Sequence, residues 1–323
     1  MSSEPSWGVV ATIRASSTDI LNFAAHHLDL GAKRIFIYLD ADAPDARSAL
    51  KRHPKCRVIL TDADYWKRRR RRQGRPQRHQ FRQSVNATHC YERRPEVDWL
   101  LHADVDEFLW SETSVAHQLG ALERDVLSAR ARPIEVLQTD PEDPPPNGGL
   151  WCKGFDPRRK IRKAQTAQIF PDYGAHLDGG LLGHVAGKVF VRTGREGVTL
   201  RIHFVFQHGE RDPNLAELPG CLLIHQHARN WENWKERFDY RLSHGSYRSD
   251  LRGASAYDTA AMTLHDLLSS LERAGGEAGL REFYNEVCIA TPDLRARLHQ
   301  LGHLHLVRLD LDSKRRRHFG PDV

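Results

Sequence analysis

The sequence predicts an α/β protein: a doubly wound, mostly parallel sheet with a small antiparallel extension, followed by C-terminal helices. Three observations carry this. Short β-branched runs alternate with helical patterns across residues 7–60, the order that gives parallel strands joined by right-handed crossovers. Two runs within 187–208 instead alternate apolar and polar residues like an antiparallel pair. Beyond residue 229 helical spacing takes over. At 323 residues the chain can hold one large core with an appended region, since single cores stop growing near roughly 250–300 residues. The division this suggests is 1–228 for the sheet domain and 229–323 for a helical region with a basic tail.

In order, "WGVVATIR" (7–14) is the first strand. Ser16, Ser17 and Thr18 are possible N-caps for a helix whose apolar positions Ile20, Leu21, Phe23, Ala24 and Leu28 recur at helical spacing up to Gly31. "RIFIYLD" (34–40) is the second strand, "APDARSALKRH" the second helix and "CRVIL" (56–60) the third strand. Residues 61–77 show no hydrophobic period and read as an exposed loop. In 78–94, Phe81, Val85 and Cys90 lie near helical spacing before Pro95, which suits a helix stop. "VDWLLHADV" (97–105) is the fourth strand, 115–131 a helix and "PIEVLQTD" (133–140) another strand. The stretch 141–165 is rich in Pro, Gly and charge, which marks a long loop. "GKVFVRTG" (187–194), "VTLRIHFVFQH" (198–208) and "CLLIHQH" (221–227) complete the strands, with helices near 230–249, 257–273 and 279–288.

Composition excludes several classes. With 40% hydrophobic and 28% charged residues the chain is far from a disordered profile. No apolar run approaches the roughly 20 residues of a bilayer span, and an acid stands near the N-terminus where a signal peptide would carry lysines. A cytoplasmic location is expected. The five cysteines form no CxxC pair and read as reduced, mostly buried thiols.

In "WLLHADVDEFLW" (99–110), His102, Asp104, Asp106 and Glu107 interrupt what otherwise reads as a buried strand. In a strand, residues two apart face one side, so Asp104 and Asp106 converge while Val105 turns away. Two close carboxylates repel, and one would take up a proton unless a cation lies between them. Hard oxygen ligands select Mg²⁺ or Mn²⁺, which also bind substrate phosphates. In open α/β sheets ligands lie outside the carboxyl ends of the strands, where this pair falls. The plainer alternative is that the acids cap a helix or pair with arginines, since DxD triplets are common by chance.

The stretch "LLHADVDEFL" resembles the DxD motif of family-2-like bacterial glycosyltransferases with the GT-A fold, in which a hydrophobic strand runs into D-x-D-E-F-L. The opening "VVATIRASSTDILNFAAHHLDLGAKRIFIYLDADAPD" resembles that group's first strand, helix and second strand, and "GKVFVR" (187–192) a later strand. "IHQHARNWENWKER" (224–237) resembles a histidine-bearing segment of the group. His225, Glu232 and Arg237 match it, while Gln226, Asn230 and Trp234 depart from its tyrosine, serine and phenylalanine. Residues beyond 240 are not covered.

What the resemblance implies is a transferase that moves a sugar, hexosyl or related, from a nucleotide-diphosphate donor to a glycan, lipid-linked or protein acceptor, with inversion. Residues 1–228 would then be a GT-A-like catalytic domain binding nucleotide-sugar and acceptor. A Mn²⁺ or Mg²⁺ ion would neutralise the leaving diphosphate. Asp106 is then a direct metal ligand, and Asp104 a metal or ribose contact. His225 becomes a third ligand or diphosphate contact, its alternative being a hydrogen-bonded core histidine. Thr12, Arg14 and Asp40 follow the first two strands and would meet the nucleotide, with helix capping as the alternative for Asp40. Asn86 would face the donor and Lys188 the diphosphate, unless Lys188 is a surface lysine. Asp156, Asp172 and Asp178 fall where acceptor-facing loops should lie; Asp178, before Gly179 and Gly180, is the first choice for the base that deprotonates the acceptor.

The net charge of +6 is local: nine Lys/Arg and no acid fall in 67–82, and subtracting those nine leaves −3 for the rest. An anionic membrane surface or an acidic acceptor would suit such a run, as would a solvated loop with no partner. Nucleic acid would use Tyr65, Trp66 and Phe81 as stacking platforms, but a carboxylate pair has no place in that reading, and no nucleic-acid partner is expected. A nucleotidyltransferase shares the sheet and the metal, yet "TIRASSTD" lacks the glycines its first loop would carry.

Overall fold

Seven consecutive buried residues, Trp7–Ile13, form β1. The computed structural model describes residues 4–70, 73–249 and 262–321. Arg71 and Arg72 of the basic run, and the first residues of the helix expected at 257–273, lie outside them. The chain forms two compact units, one of Met1–Arg132, Ala186–Leu223 and Leu309–Val323, the other of Pro133–Val185 and Ile224–Arg308.

In the first unit β1 leads to α1 (Ser17–Asp29), capped as expected by Ser16, whose hydroxyl accepts from the Asp19 N–H at 3.1 Å. Gly31, at φ +102°, turns the chain out of it through a backbone conformation that glycine adopts without strain. Next come β2 (Arg34–Leu39), α2 (Pro44–Arg52), β3 (Cys56–Leu60), α3 (Ala63–Arg70), α4 (His79–Glu92), β4 (Trp99–His102), β5 (Glu107–Ser111), α5 (Val115–Gly120) and β6 (Ser128–Val136). After the second unit's β7 (Leu150–Lys153) and α6 (Arg159–Ile169), the first resumes with β8 (Lys188–Arg192), β9 (Val198–Leu200), β10 (Val205–Gln207), β11 (Glu210–Arg211) and β12 (Ala216–His225). The second unit then holds α7 (Trp231–Glu236), α8 (Phe238–Ser243), α9 (Leu264–Cys288), α10 (Pro292–Gln300) and β13 (Leu304–Val307), and the first unit ends with α11 (Leu311–Phe319).

β1 pairs in parallel with β2 on one side and β4 on the other, and β2 pairs in parallel with β3. The order β3-β2-β1-β4 reverses direction of winding between β1 and β4, which makes their carboxyl ends a topological switch point. β8 runs antiparallel to β4, and the first residues of β6 run antiparallel to β8, so the antiparallel extension is present. The run 198–208 is two strands rather than one: β9 and β10 pair with each other, and β11 with β10. The basic tail is α11, where Arg315 donates to the Asn22 side chain on α1 at 2.7 Å.

Three segments differ from expectation for physical reasons. Residues 61–70 hold helix α3, because Tyr65 and Trp66 bury completely enough to dock it although the arginines beside them give no hydrophobic period. The helix expected over 115–131 stops at Gly120, and "SARARPIEV" is strand β6, where pairing to β8 overrides the helix preference of Ala and Arg. The stretch 141–165, read as loop, holds β7 and the first residues of α6, because Cys152 and Lys153 are buried in the sheet.

In the second unit the end of β6 pairs antiparallel with β7, which pairs antiparallel with β13. Trp231, Trp234, Phe238, Phe283 and Tyr284 pack together as its core. α9 is interrupted at Gly276, where φ is +56°, so the break between the two expected helices is real. All five cysteines are buried and free, as the sequence suggested.

Candidate active site

At the switch point of the first unit, the chain leaves β4 at His102 and enters a tight turn. The Glu107 N–H donates to the Asp104 carbonyl at 3.1 Å, closing a turn over Asp104, Val105, Asp106 and Glu107 before β5 begins. The expected strand through Val105 is therefore shorter, and strand alternation does not aim Asp104 and Asp106. The turn does, and both residues are half-buried on it.

Asp104 is heavily tied. Lys188 Nζ donates to its Oδ2 at 2.8 Å, the Gln83 amide donates to its Oδ1, and its own N–H donates to Glu107 Oε2 at 2.8 Å. Lys188 Nζ also lies 3.4 Å from Glu107 Oε2. Burial works against ionisation of Asp104, but the Lys188 ammonium and His102 outweigh it and hold the carboxyl well below the usual carboxylate range. Burial likewise opposes the charge on Lys188, and Asp104 and Glu107 more than reverse it. His102 beneath them is pushed down to about 4 by burial and by Lys188, so it is neutral at pH 7. Glu107, unassigned from sequence, closes the turn onto Lys188.

Of the other expected donor contacts in this unit, Thr12 lies at the carboxyl end of β1, Asp40 follows β2 and Asn86 is on α4. Tyr65 donates to Asn86 Oδ1 at 2.7 Å, and Asn86 Nδ2 donates to Thr12 Oγ1 at 3.1 Å, a buried polar chain that pins β1 to α3 and α4. Asp40, after β2, accepts from Arg82 Nε at 2.8 Å and from Arg75 at 3.1 Å, with His79 at 3.6 Å. Burial raises the Asp40 pKa, and these partners overcome it, leaving about 2. Neither helix capping nor a solvated loop describes this: part of the basic segment folds back to neutralise Asp40. Arg14 is exposed.

In the second unit, Glu135 at the end of β6 accepts from the N–H groups of Leu182 (2.9 Å) and Gly183 (2.6 Å). His225 Nδ1 lies 3.8 Å from Glu135 Oε1. A side chain at Gly183 would bring its Cβ within 2.8 Å of His225 Nδ1, so a larger residue here would displace the imidazole or the Glu135 carboxylate. Glu135, His225 and His227 each present a ligand atom within 4.8 Å of the others. One carboxylate and two imidazoles suit a borderline divalent ion. Burial, then Arg241 and His225, hold His227 well below the usual histidine range, and its Nε2 lies 2.8 Å from the Tyr247 hydroxyl. Lys153 Nζ, 3.6 Å from Glu135, supplies a positive charge of its own. The sequence pointed to His225 but gave no sign of Glu135, which sits in an ordinary-looking strand. Asp178 accepts from Arg162 Nε at 2.7 Å in this unit. Asp156 is half-buried beside the exposed Arg158, whose hydrogen bond holds it at about 2.

Fold and site define a doubly wound α/β protein with an acidic turn at the carboxyl edge of its sheet. Residues 10–252 match the model of glycosyltransferase family 92, well over half of the sequence, and the chain belongs to that family. The expectation of a glycosyltransferase therefore holds, and the family matched is family 92. No curated protein matches the sequence. Among solved structures, the chain is similar to a galactosyltransferase, LgtC, in complex with donor and acceptor sugar analogs, at 11% identity over 57% of each chain with a TM-score of 0.26. It is also similar to a mycobacterial protein at 12% identity over 76% of each chain, with a TM-score of 0.34. The chain thus covers little more than half the length of LgtC, and superpositions this partial do not extend to a common site or activity. No helix among the described residues is long and apolar enough to cross a membrane.

Proposed function

We propose that the protein transfers a sugar from a nucleotide-diphosphate donor to a glycan or lipid-linked acceptor, using a GT-A-type donor site at the carboxyl edge of β1, β2 and β4. The observation that carries the proposal is the turn Asp104–Glu107 at the switch point, where a hydrophobic strand ends on two acids at the edge of the sheet that open α/β folds use for ligands. The donor set is hard oxygen, which fits Mg²⁺ or Mn²⁺. Asp106 would hold the ion, which when bound stabilises the negative charge that grows on the leaving diphosphate. Asp104, kept ionised by Lys188, sets the turn's geometry and presents its carboxylate to ribose or to metal-bound water. Thr12, Asn86 and Asp40 shape the nucleotide end of the crevice, with Arg14 at its rim.

His225 is the imidazole we assign to metal or diphosphate. Asp178 is our candidate base for an inverting displacement: it would take the proton of the acceptor hydroxyl, with Arg162 fixing the carboxylate's orientation. The test is thermal. UDP or GDP with Mn²⁺ is expected to raise the melting temperature and Asp106→Ala to abolish the rise. A panel of nucleotide-sugars, read by release of free nucleotide, would then identify the donor. A shift with nucleotide that is the same in Asp106→Ala and without metal would overturn the metal assignment.

A further inference from the structure

The basic run that the donor site does not use forms part of a cavity of about 760 Å³ within the first unit. This lies in the range of small-molecule sites, roughly 300–1,000 Å³. Arg34, Arg57, Arg68, Arg69, Arg93 and Arg94 line it, with Glu96 as the acid among its lining residues. Strand geometry explains its floor. Arg34, Phe36 and Tyr38 alternate onto one face of β2, and the register Phe36 to Arg57 and Tyr38 to Ile59 brings Arg57 and Ile59 of β3 onto that same face. The opposite face, with Ile35, Ile37 and Leu39, is fully buried, whereas Phe36 and Ile59 remain half-exposed. The result is an apolar floor ringed by guanidinium groups.

The charges are not balanced from within. Arg34 pairs with Glu96 at 2.8 Å and Arg69 with Glu92 at 2.7 Å. Arg57 donates to the carbonyls of Pro54 and Cys56, both at 2.9 Å. Among the described residues no ion pair or side-chain hydrogen bond is present for Arg68, Arg93 or Arg94. Arg94 moreover stands at φ +53°, just past the end of α4, a left-handed position where Gly or Asn is the usual residue. An arginine thus holds a strained backbone conformation among the residues that line the cavity. His89, at the same wall, is held below the usual histidine range by burial and by Arg69 and Arg93, and its Nδ1 meets the Tyr38 hydroxyl at 3.0 Å.

We propose that this cavity is a second ligand site, for a molecule carrying two or more phosphate groups whose body rests on Phe36 and Ile59. Its arginine-rich end is remote from the donor site: Arg34 opens β2 and Asp40 follows its far end, which at about 3.3 Å per residue puts these two residues roughly 20 Å apart, while Tyr38 and Tyr65 line the end nearer Asn86. Guanidinium forks match phosphate oxygens in pairs, so several phosphates can be held at once. The phosphates can be those of a free metabolite or of a lipid headgroup, and the chemistry of recognition is the same. The inference does not depend on the transferase reading.

The test uses the full chain and inorganic tripolyphosphate, by titration calorimetry. Binding is expected in the wild type, and Arg93→Ala and Arg94→Gly are each expected to weaken it about tenfold, the size of one lost charge-assisted contact. Arg94→Gly keeps the left-handed backbone, so lost binding there is not lost folding. The titration is run without divalent metal, so that the metal-held diphosphate site assigned to Asp106 does not contribute. Sedimentation with phosphatidylcholine vesicles containing phosphatidic acid separates the sources: vesicle binding that tripolyphosphate displaces supports a headgroup, and tripolyphosphate binding with no vesicle binding supports a soluble ligand. No tripolyphosphate binding, binding indifferent to both arginine changes, or displacement by a single-stranded oligonucleotide that binds more tightly with length would overturn the proposal.

Discussion

Lys188 Nζ lies 2.8 Å from Asp104 Oδ2, although 84 residues separate them and the lysine is fully buried. A buried ammonium is tolerable when anions surround it, and Glu107 supplies a second at 3.4 Å. One lysine on β8 therefore holds the first and last residues of the acidic turn, and the turn is as much a structural unit as a chemical one.

Removing that lysine should be costly. Lys188→Met leaves Asp104 and Glu107 without their cation, and a loss of about 3 kcal/mol is expected in urea unfolding. Adding Asp104→Asn should recover part of it, because the second change removes charge from the other side. Equal losses in the single and double variants would show that the pair does not act through charge.

Asp40 makes a prediction about acid. Its folded pKa of about 2 lies below its ordinary 3.8, so its stabilisation is complete above pH 4 and is lost as pH falls from about 4 to about 2. The amount is about 2 kcal/mol. Stability measured by urea at a series of pH values should fall through that window, and Arg82→Met should flatten the fall. An acid limb identical in the variant would remove Asp40 from the account.

Much of this was legible in the chain because it is local. β1, α1 and β2 announce themselves through β-branched runs, the Ser16 cap and Gly31, each of which acts within a few residues. The acids of 104–107 could be found for the same reason, but their geometry could not, since a strand and a turn accept the same "ADVDE". What decides between them is a single backbone hydrogen bond from Glu107 to Asp104 and a lysine far along the chain. The partners of Asp40 were likewise invisible: Arg75 and Arg82 sit in a run that looks uniformly solvated, and nothing local tells which of its arginines turn inward. Glu135 was missed because a lone glutamate in a strand gives no signal until Leu182 and Gly183 close over it.

Arg94 should be replaceable at a profit to the fold. A non-glycine residue in the left-handed region costs about 1 kcal/mol, so Arg94→Gly is expected to raise the unfolding midpoint, by up to about that amount. The same variant is expected to bind polyphosphate about tenfold more weakly, and the two effects have opposite signs. A variant that lost both stability and binding would mean that the arginine side chain holds the α4 terminus.

Tyr247 joins two buried groups of the second unit: its hydroxyl accepts from Trp234 Nε1 at 3.0 Å and lies 2.8 Å from His227 Nε2. Tyr247→Phe strands both, at an expected cost of about 2 kcal/mol. Since His227 is held neutral chiefly by burial, the loss should be nearly constant between pH 6 and 8. A loss that grew as pH fell would mean that His227 carries a proton in the folded protein.

The two acids of the turn should fail in different ways when each is changed to its amide. Asp104→Asn removes the anion that Lys188 Nζ and Gln83 address, so it should lower stability by about 2–3 kcal/mol, the price of leaving a charged group short of its partner, and carry activity down with it. Asp106→Asn keeps the Asp104 to Glu107 turn and its lysine, so it should unfold closer to the wild type than Asp104→Asn does. In exchange it should lose about 10²-fold or more in turnover, the scale of removing one charge-stabilising group from a transfer site. Urea unfolding and nucleotide release measured on the same two preparations give the comparison. If Asp106→Asn kept full turnover while Asp104→Asn lost it at unchanged stability, the roles assigned to the two carboxylates would be reversed, with Lys188 and Asp104 forming the chemical pair and Asp106 the scaffold.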